Sequence, residues 1–164
     1  MPCRACAAAS LVGAGDQAFR ITLDYLRTRK QFGKLIGEFQ ALQHRAAHLY
    51  SELEIARAAV IKAQQLLDAG SEKAELMVSV AKAKAGKTAG LAVKEGVQMH
   101  GGIGMTDEYD IGLYMKRDRA LAEFMGDLYY HAERVAQKSA GRTEDSREGV
   151  LAFLQKRPAQ FKGR

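Results

Sequence analysis

The sequence predicts an all-α protein: an up-down four-helix bundle followed by a short extra C-terminal helix. Two observations support this fold class. Apolar residues recur at alternating steps of three and four along several long segments, which is the period of a helix face. The prolines are Pro2 and Pro158, so no proline interrupts the segments between them. With 164 residues, of which 47% are hydrophobic, the chain is long enough for one domain with its own core.

The first two helices are predicted from apolar residues that share a face. The first runs over about residues 5–30 and directs Phe19 and Leu26 to the core. The second carries a continuous apolar seam, which comprises Leu42, Ala46, Leu49, Leu53, Ala56, Val60, Ala63 and Leu67. This helix is predicted to end at Gly70, after which Ser71 caps the next helix.

The third helix is predicted over about residues 72–99, where small side chains let neighbouring helices approach closely. After a glycine-rich loop, Asp110 is predicted to cap a single fourth helix. The seam of that helix comprises Leu113, Arg117, Leu121, Phe124, Leu128, His131 and Val135. The bundle is therefore assigned to residues 1–138, and residues 139–164 are predicted to form a flexible linker and a short tail helix.

Composition and charge argue against several classes of protein. The net charge is +6, but the cations are spread along the chain and form no basic stripe with interleaved aromatic residues, so no nucleic acid is expected as a partner. No run of about 18 apolar residues is present, so no membrane span is predicted. Cys3 and Cys6 lack a second pair for a zinc site and are expected to be reduced, which favours a cytoplasmic protein.

Isolated polar residues leave alternatives open. His44 and His48 lie one turn apart on the second helix, a spacing that can hold a metal ion. A di-iron or di-manganese bundle also needs Glu-x-x-His motifs on two helices, and the sequence contains none. No metal is therefore predicted, although a metal-binding bundle stays a third alternative. Arg117 on the predicted seam needs an anionic partner, either a carboxylate in an ion pair or a ligand phosphate.

Two short motifs suggest a ligand site. The segment "RTRKQFGK", residues 27–34, is either a basic helix end stopped by Gly33 or an anion site with Phe32 beside it. The segment "QMHGGIGMTDEYD", residues 98–110, has three glycines in four residues, and no strand precedes it as the dinucleotide fingerprint requires. It is either a tight turn between helices or bare backbone N–H groups that face a phosphate or a carbonyl.

Taken together, "YLRTRKQFGKLIGEFQALQHRAAHL" and "AVKEGVQMHGGIGMTDEYDIGLYMKRDRA" resemble the C-terminal helical domain of the acyl-CoA dehydrogenases, over about residues 4–138. The nearest likeness is to bacterial members such as the pimeloyl-CoA dehydrogenase small subunit. The resemblance implies that FAD binds across a subunit boundary. The positions matching its cofactor contacts, on the adenine, ribose and pyrophosphate side of FAD, are Arg29, Gln31, Phe32, Phe39, Gln40, Gln98, Met99, His100, Gly101 and Gly102.

The resemblance also implies a reaction, the α,β-dehydrogenation of an acyl-CoA thioester. A glutamate of the family removes the α-proton while hydride passes from the β-carbon to the flavin. Met125 or Gly126 holds the place of that glutamate here, and Cys3 matches an alternative place in the first helix. Glu123 is a further candidate base, but it falls one turn too early. No catalytic residue is therefore expected at the family position, and the isolated chain is expected to be inactive.

The remaining residues, 143–164, resemble instead the C-terminal tail of enoyl-CoA hydratases. The N-terminal helical domain and the central β-domain of acyl-CoA dehydrogenases have no counterpart in the sequence. We therefore expect a fragment or degenerate subunit of an FAD-dependent dehydrogenase, or alternatively a non-catalytic assembly module that pairs with a full-length dehydrogenase subunit. The expected partners are a second copy of this chain, in a dimer or tetramer, or another dehydrogenase subunit, with acyl-CoA as substrate of the intact enzyme.

Overall fold

The computed structural model describes residues 2–141 and 143–163, and within these ranges the chain forms six α-helices. They are α1 (Pro2–Thr28), α2 (Gln40–Asp68), α3 (Ala74–His100), α4 (Ile111–Glu123), α5 (Leu128–Ala140) and α6 (Glu144–Leu154). Two short strands, β1 (Lys30–Gln31) and β2 (Lys34–Leu35), pair as an antiparallel hairpin, and single 3-10 turns cover Ile36–Glu38 and Gly101–Met105. The predicted all-α bundle is confirmed, with α4 and α5 together as its fourth arm. Among the described residues, no helix combines the length and apolar composition needed to cross a bilayer.

Helix α3 lies at the centre of the bundle and packs against α1, α2, α4 and α5. Its fully buried residues are mostly small, among them Ala81, Ala85 and Ala92. The approach of α1 is close, since a Cβ added at Gly15 would lie 3.2 Å from the Cα of Ala89. Small side chains along α3 thus let its neighbours pack at short range, as the sequence predicted.

The structure contradicts one of the two interpretations of the basic segment at residues 27–34, in which a helix ends at Gly33. Helix α1 ends at Thr28, and Gly33 is the second turn residue of the hairpin rather than a helix stop. Phe32 and Gly33 have φ angles of 55° and 80°, so both occupy the left-handed region that a two-residue hairpin turn requires. The interpretation of Gly33 as the end of a helix is therefore wrong.

The predicted helix boundaries around α3 hold only in part. Gly70 follows the end of α2, as predicted, with a φ of 61°. Ser71 lies in the turn before α3, where its hydroxyl accepts a hydrogen bond of 3.3 Å from the Lys73 N–H. Asp110 precedes α4 but makes no capping hydrogen bond with its side chain, so that predicted cap is wrong.

The single fourth helix is also wrong. The chain breaks between α4 and α5 at residues 124–127, which we call the α4–α5 joint. Met125 and Gly126 have φ angles of 64° and 103°, which no helix can accommodate. Asp127 then caps α5, because its carboxylate accepts a 2.8 Å hydrogen bond from the Tyr130 N–H.

The predicted seam of the fourth helix is displaced as well. Leu113 and Arg117 are exposed, whereas Ile111 and Asp118 of α4 are buried and Leu121 is half-buried. The apolar face is therefore shifted by one position, which rotates it by about 100° around the helix. Of the predicted seam residues, His131 is fully buried on α5.

The polar stretch that suggested a flexible linker is largely helical. Helix α6 begins at Glu144, where the Thr143 hydroxyl accepts a hydrogen bond from the Ser146 N–H; Arg142 of the predicted linker lies outside the described residues. The segment after α6 then folds back onto the helix. The Arg157 guanidinium and the Gln160 N–H both bind the Glu148 carboxylate and lower its pKa to about 2.

The joint gives a direct test of the fold through Gly126. A Cβ added there would lie 2.4 Å from Cδ1 of Tyr130, and its φ is positive. We expect Gly126→Ala to lower the free energy of unfolding by about 1–3 kcal/mol. Gly86→Ala in α3 is the matched control: its Cβ meets nothing within 4 Å, so stability should rise by about 0.5–1 kcal/mol. Urea unfolding followed by circular dichroism measures both, and equal effects would contradict the observed joint.

Candidate functional site

A groove of about 560 Å³ opens between the C-terminal ends of α1 and α3. The hairpin and the start of α2 close one side, and the glycine turn after α3 closes the other. We call it the hairpin groove. Its lining residues are Tyr25, Arg29, Gln31, Phe32, Ile36, Phe39, Leu42, Arg45, Gln98, Met99, His100, Gly101, Gly102 and Ile103.

The groove brings together nine of the ten residues that the sequence assigned to a cofactor. Those on the hairpin side and those on the glycine side come from two motifs that are far apart in the chain but share this surface. The exception is Gln40, the first residue of α2, which is exposed and does not line the groove. Whether the shared surface contacts FAD stays a prediction.

The hairpin side of the groove is cationic and aromatic. Arg29 is exposed and makes no ion pair within the described residues, while its carbonyl accepts a 2.9 Å hydrogen bond from the Ile36 N–H. Phe32 at the hairpin tip is 89% exposed and meets the ring of Phe39 edge-on, with 6.2 Å between the ring centroids. Lys34 covers Phe39, its Nζ lying 4.2 Å from the ring centroid. This side therefore offers an uncommitted guanidinium beside an exposed ring.

On the opposite side of the groove, the structure requires glycine at two of the three glycine positions, and for different reasons. A Cβ at Gly104 would lie 2.9 Å from the Val97 carbonyl oxygen, so the turn itself requires that residue. Gly101 ends α3 with a φ of 67°. Gly102 has a negative φ, and a Cβ there would meet no protein atom within 4 Å. The tight-turn interpretation thus accounts for Gly101 and Gly104 but not for Gly102, which leaves bare backbone at the groove.

His100 forms the buried base of the groove. Its ring is stacked on Tyr25 at 4.5 Å and tilted against Tyr109 at 4.9 Å between centroids. Its Nδ1 lies 2.7 Å from the carbonyl oxygen of Gly96, which assigns the proton to Nδ1 because a carbonyl only accepts. Burial lowers the pKa of His100 and keeps the ring neutral at physiological pH.

Five of the lining residues were not assigned to the site from the sequence: Tyr25, Ile36, Leu42, Arg45 and Ile103. Two of these, Tyr25 and Arg45, carry polar groups. Tyr25 lies one turn before Arg29 on α1, and that i, i+4 spacing is the signal that places both at the same end of the helix. Arg45 has no comparable signal, because it lies on a polar face of α2. Its guanidinium pairs with Glu95 at 2.6 Å, and this hydrogen bond raises the pKa of Arg45. The pair joins α2 to α3 beside the groove.

Comparison with known proteins identifies the scaffold that carries this groove. Residues 1–140 match the family described as "Acyl-CoA dehydrogenase, C-terminal domain". The chain belongs to the acyl-CoA dehydrogenase family. Its fold and its two groove motifs are therefore those of the C-terminal domain of these enzymes, which agrees with the resemblance found in the sequence.

Individual relatives cover the same part of the chain. Acyl-CoA dehydrogenase IpdE2 of Mycobacterium tuberculosis is 38% identical over 118 residues, which span 72% of this chain and 35% of that protein. Butyryl-CoA dehydrogenase from Megasphaera elsdenii superposes with a TM-score of 0.79 at 26% identity, covering 82% of this chain and 35% of that chain. The steroid acyl-CoA dehydrogenase Tcur3481-Tcur3483 superposes with a TM-score of 0.78 at 30% identity, covering 82% and 37%. The chain thus spans about a third of the length of these relatives.

The two places that the resemblance predicts for a base lie on elements that contact each other. Arg4, next to Cys3 on α1, reaches the Tyr130 hydroxyl on α5 at 3.4 Å, and Tyr130 lies against Gly126. Met125, Gly126 and Cys3 carry no carboxylate. Glu123 is exposed at the last residue of α4. Carboxylates near these positions are Glu123 and Asp127, and the Asp127 carboxylate caps α5. Whether any of these residues holds the place of the family base stays a prediction.

Other predicted ligand residues lie apart from the groove. His44 and His48 are both exposed on α2, and the described residues contain no group of three or more potential metal ligands. Arg117 is exposed and forms no ion pair within the described part of the chain, so a carboxylate partner is not observed, and a ligand phosphate stays a prediction. The buried charge on α4 is instead its neighbour Asp118, and burial raises the pKa of that carboxyl.

The two buried histidines, His100 and His131, should make stability depend on pH. Burial lowers the pKa of each below its ordinary value of 6.5. The unfolded chain therefore takes up protons at a higher pH than the folded chain, so the stabilisation is complete above pH 6.5 and is lost as the pH falls below it. The expected loss is up to about 1.4 kcal/mol per pH unit for each histidine. Urea unfolding at a series of pH values around 6.5 measures this slope.

Matched histidine variants isolate that slope from other groups. The raised pKa of Asp118 acts in the opposite direction at lower pH, so slopes are compared between variants rather than in absolute terms. His100→Gln and His131→Gln should each reduce the slope. His44→Gln, at an exposed position, should leave it unchanged. If all three variants keep the parental slope, the buried imidazoles are not its origin.

Proposed function

We propose that this chain serves as the C-terminal domain of an FAD-dependent acyl-CoA dehydrogenase, and that the hairpin groove holds the adenine and pyrophosphate part of FAD. One observation carries the proposal: Arg29 and the bare backbone at Gly102 line the same groove from two separate helices. The complete enzyme, with the further domains found in the family, would carry out the α,β-dehydrogenation of an acyl-CoA thioester. This chain alone is inactive in that reaction.

The groove residues fit the charged half of the cofactor. The Arg29 guanidinium is free to pair with phosphate oxygens, for which its planar donors are well suited. Main-chain N–H groups at the glycine turn approach an anion closely because Gly102 has no Cβ. The exposed ring of Phe32 offers a face on which adenine can stack. When bound, the flavin ring of FAD accepts the hydride; the residues of this groove only hold and orient its nucleotide end.

The groove is open on one side, which suits a cofactor shared between subunits. The family resemblance assigns the flavin ring and much of the acyl-CoA site to other domains. We expect the bundle to self-associate, as a dimer or tetramer, or to join another acyl-CoA dehydrogenase subunit in the cytoplasm. Apolar residues are exposed at the joint and at the start of α5, among them Phe124, Met125 and Tyr129, and they are consistent with such packing.

Binding of FAD or ADP to the purified chain tests the groove. We expect both nucleotides to bind and riboflavin, which lacks the diphosphate, not to bind. Arg29→Ala should weaken binding about tenfold or more, because a charge-assisted hydrogen bond contributes about 1.5–3 kcal/mol. Gly102→Val should abolish binding without loss of stability, because its Cβ meets no protein atom. Isothermal titration calorimetry at low salt measures each affinity.

Arg27→Ala is the control for a general effect of positive charge. Arg27 is two residues from Arg29 and largely exposed, and its one ion pair within the described residues is with Asp24 at 3.9 Å, outside the groove. Its loss should leave the affinity nearly unchanged. If Arg27→Ala and Arg29→Ala weaken binding equally, or if riboflavin competes with ADP, the proposed groove assignment fails.

A second candidate function is a non-catalytic assembly module for a separately encoded dehydrogenase. The observation that favours it is Gly126, one of the two positions proposed for the family base, because a Cβ there would clash with Tyr130. The other position carries the side chain of Met125, which is not a base. Such a module would contribute the hairpin groove to a partner whose own carboxylate performs the reaction. A chain that sediments as a monomer, both alone and with a full-length dehydrogenase subunit, would exclude this function.

The expected lack of activity is tested with Gly126→Glu. We expect no dye reduction by the purified chain with FAD and a panel of acyl-CoA thioesters. Gly126→Glu should remain inactive and be less stable, because its Cβ would clash with Tyr130 before a carboxylate reached any substrate. Met125→Glu, at a position whose side chain is already accommodated, is the comparison. Turnover by the parent chain would refute the proposed inactivity.

A further inference from the structure

Lys82, on α3, is buried at 2% exposure although it makes no ion pair within the described residues. Its Nζ instead donates three hydrogen bonds to backbone carbonyls: to Leu121 at 3.2 Å, to Ala122 at 3.0 Å and to Gly126 at 3.0 Å. An ammonium group has three donor hydrogens, so every one of them is used. A cation without water is costly to bury, and this arrangement replaces its hydration shell with carbonyl oxygens.

The carbonyls bound by Lys82 are those that the chain leaves without another donor. The last carbonyls of a helix lack the N–H groups of a following turn. At the end of α4, the carbonyls of Ala120 and Glu123 accept hydrogen bonds of 3.2 Å from N–H groups of the joint. The two carbonyls between them, at Leu121 and Ala122, are bound by Lys82 instead. A cation is also favoured at this helix end by the helix dipole.

The three carbonyl acceptors around Lys82 match an ammonium, since a neutral amine has only two N–H donors. Burial lowers the pKa of Lys82, and the carboxylates of Asp127, Glu123 and Asp118 act in the opposite direction. Beside it, the Met125 carbonyl lies 3.1 Å from Nε2 of His131, which is buried on α5. The carbonyls of Met125 and Gly126 are thus bound by side chains of α5 and α3 rather than by further helical turns.

We propose that Lys82 is a positioning residue whose buried ammonium acts as a tethered cation and fixes the α4–α5 joint against α3. Its Nζ binds carbonyls of both the last turn of α4 and Gly126. In this way it determines where α4 ends and where α5 begins. The orientation of the half-exposed side chains of Phe124 and Met125 depends on this conformation of the joint. The inference concerns the conformation of the joint and holds whether or not the hairpin groove binds FAD.

Hydrogen exchange of the full chain tests this role with Lys82→Met, which keeps the length and loses the charge. We expect exchange in peptides covering residues 120–127 to rise about tenfold or more, since hydrogen bonds to a charged group are lost. Peptides from α1 and α2 should exchange at the parental rate. Unchanged exchange at residues 120–127 would overturn the proposal.

Lys84→Met is the matched control on the same helix. Lys84 pairs with Glu52 of α2 at 2.6 Å and does not contact the joint. Its loss should leave exchange at residues 120–127 unchanged. If Lys84→Met loosens the joint as much as Lys82→Met, the effect is a general weakening of α3 and the positioning role is refuted.

Chemical rescue separates the cation from mere packing. Lys82→Ala lacks three methylene groups and the ammonium, which n-propylammonium supplies as a free molecule. We expect n-propylammonium to restore slow exchange at residues 120–127, or to restore folding if the variant is unfolded. Propyltrimethylammonium, which has the charge but no N–H donor, should not. Equal rescue by both compounds, or by neither, would overturn the tethered-cation role.

The unaltered chain provides a measurement that needs no variant. Acylation of native protein with an amine reagent, followed by peptide mass spectrometry, reports how accessible each lysine is. Lys82 should react only at the rate of unfolding, whereas the exposed Lys94 on the same helix should react at once. Reaction of Lys82 as fast as Lys94 would refute the buried, fully bonded ammonium.

Discussion

The close packing of α3 is the constraint on which the rest of this structure depends. Its buried positions are largely alanine. At Gly96, which has no side chain, Ile111 of α4 occupies the space that a Cβ would need. At this distance the neighbouring helices cannot slide past α3 without clashes, because interiors packed at crystal-like density have few voids. The register between α1 and α3 then determines where their C-terminal ends meet, and the hairpin groove lies at that meeting point.

Polar groups on α3, and on the hairpin side of the groove beside its C-terminal end, serve opposite purposes at two places. At the C-terminal end, His100 is neutral and buried beneath an open groove, while charge is presented by the exposed Arg29. Further back along the helix, Lys82 is charged and closed off, with all of its donors satisfied by carbonyls. The first arrangement leaves a cation uncommitted and available to an anion. In the second arrangement the Lys82 ammonium binds backbone carbonyls with all of its donors, so it stabilises a conformation and has no donor left for a ligand.

Helical periodicity predicted α1 and α2 because their buried residues follow one regular face, whereas α3 was predicted from its small residues and is packed on several sides. It failed at the joint, where Met125 adopts a φ of 64° that no residue type at this position signals. The error of predicting Arg117 rather than Asp118 as the buried charge has the same cause. The predicted apolar face assumed one continuous straight helix, whereas α4 and α5 are separate helices. Motifs identified the groove residues well, but Tyr25 and Arg45 required the packing of α1 and α2 against α3, which a local pattern does not contain.

The proposed lack of a base at position 126 would involve more than the absence of one carboxylate. A glutamate that removes a proton beside a thioester must be held within hydrogen-bond reach of it. At position 126 the backbone has a φ of 103° and Tyr130 fills the space of a Cβ, while Lys82 holds the carbonyl of the same residue. A glutamate at this position would require the joint to adopt another conformation. The described residues thus bring the groove residues together at one end of α3, while Lys82 and Tyr130 fix the joint further back along it.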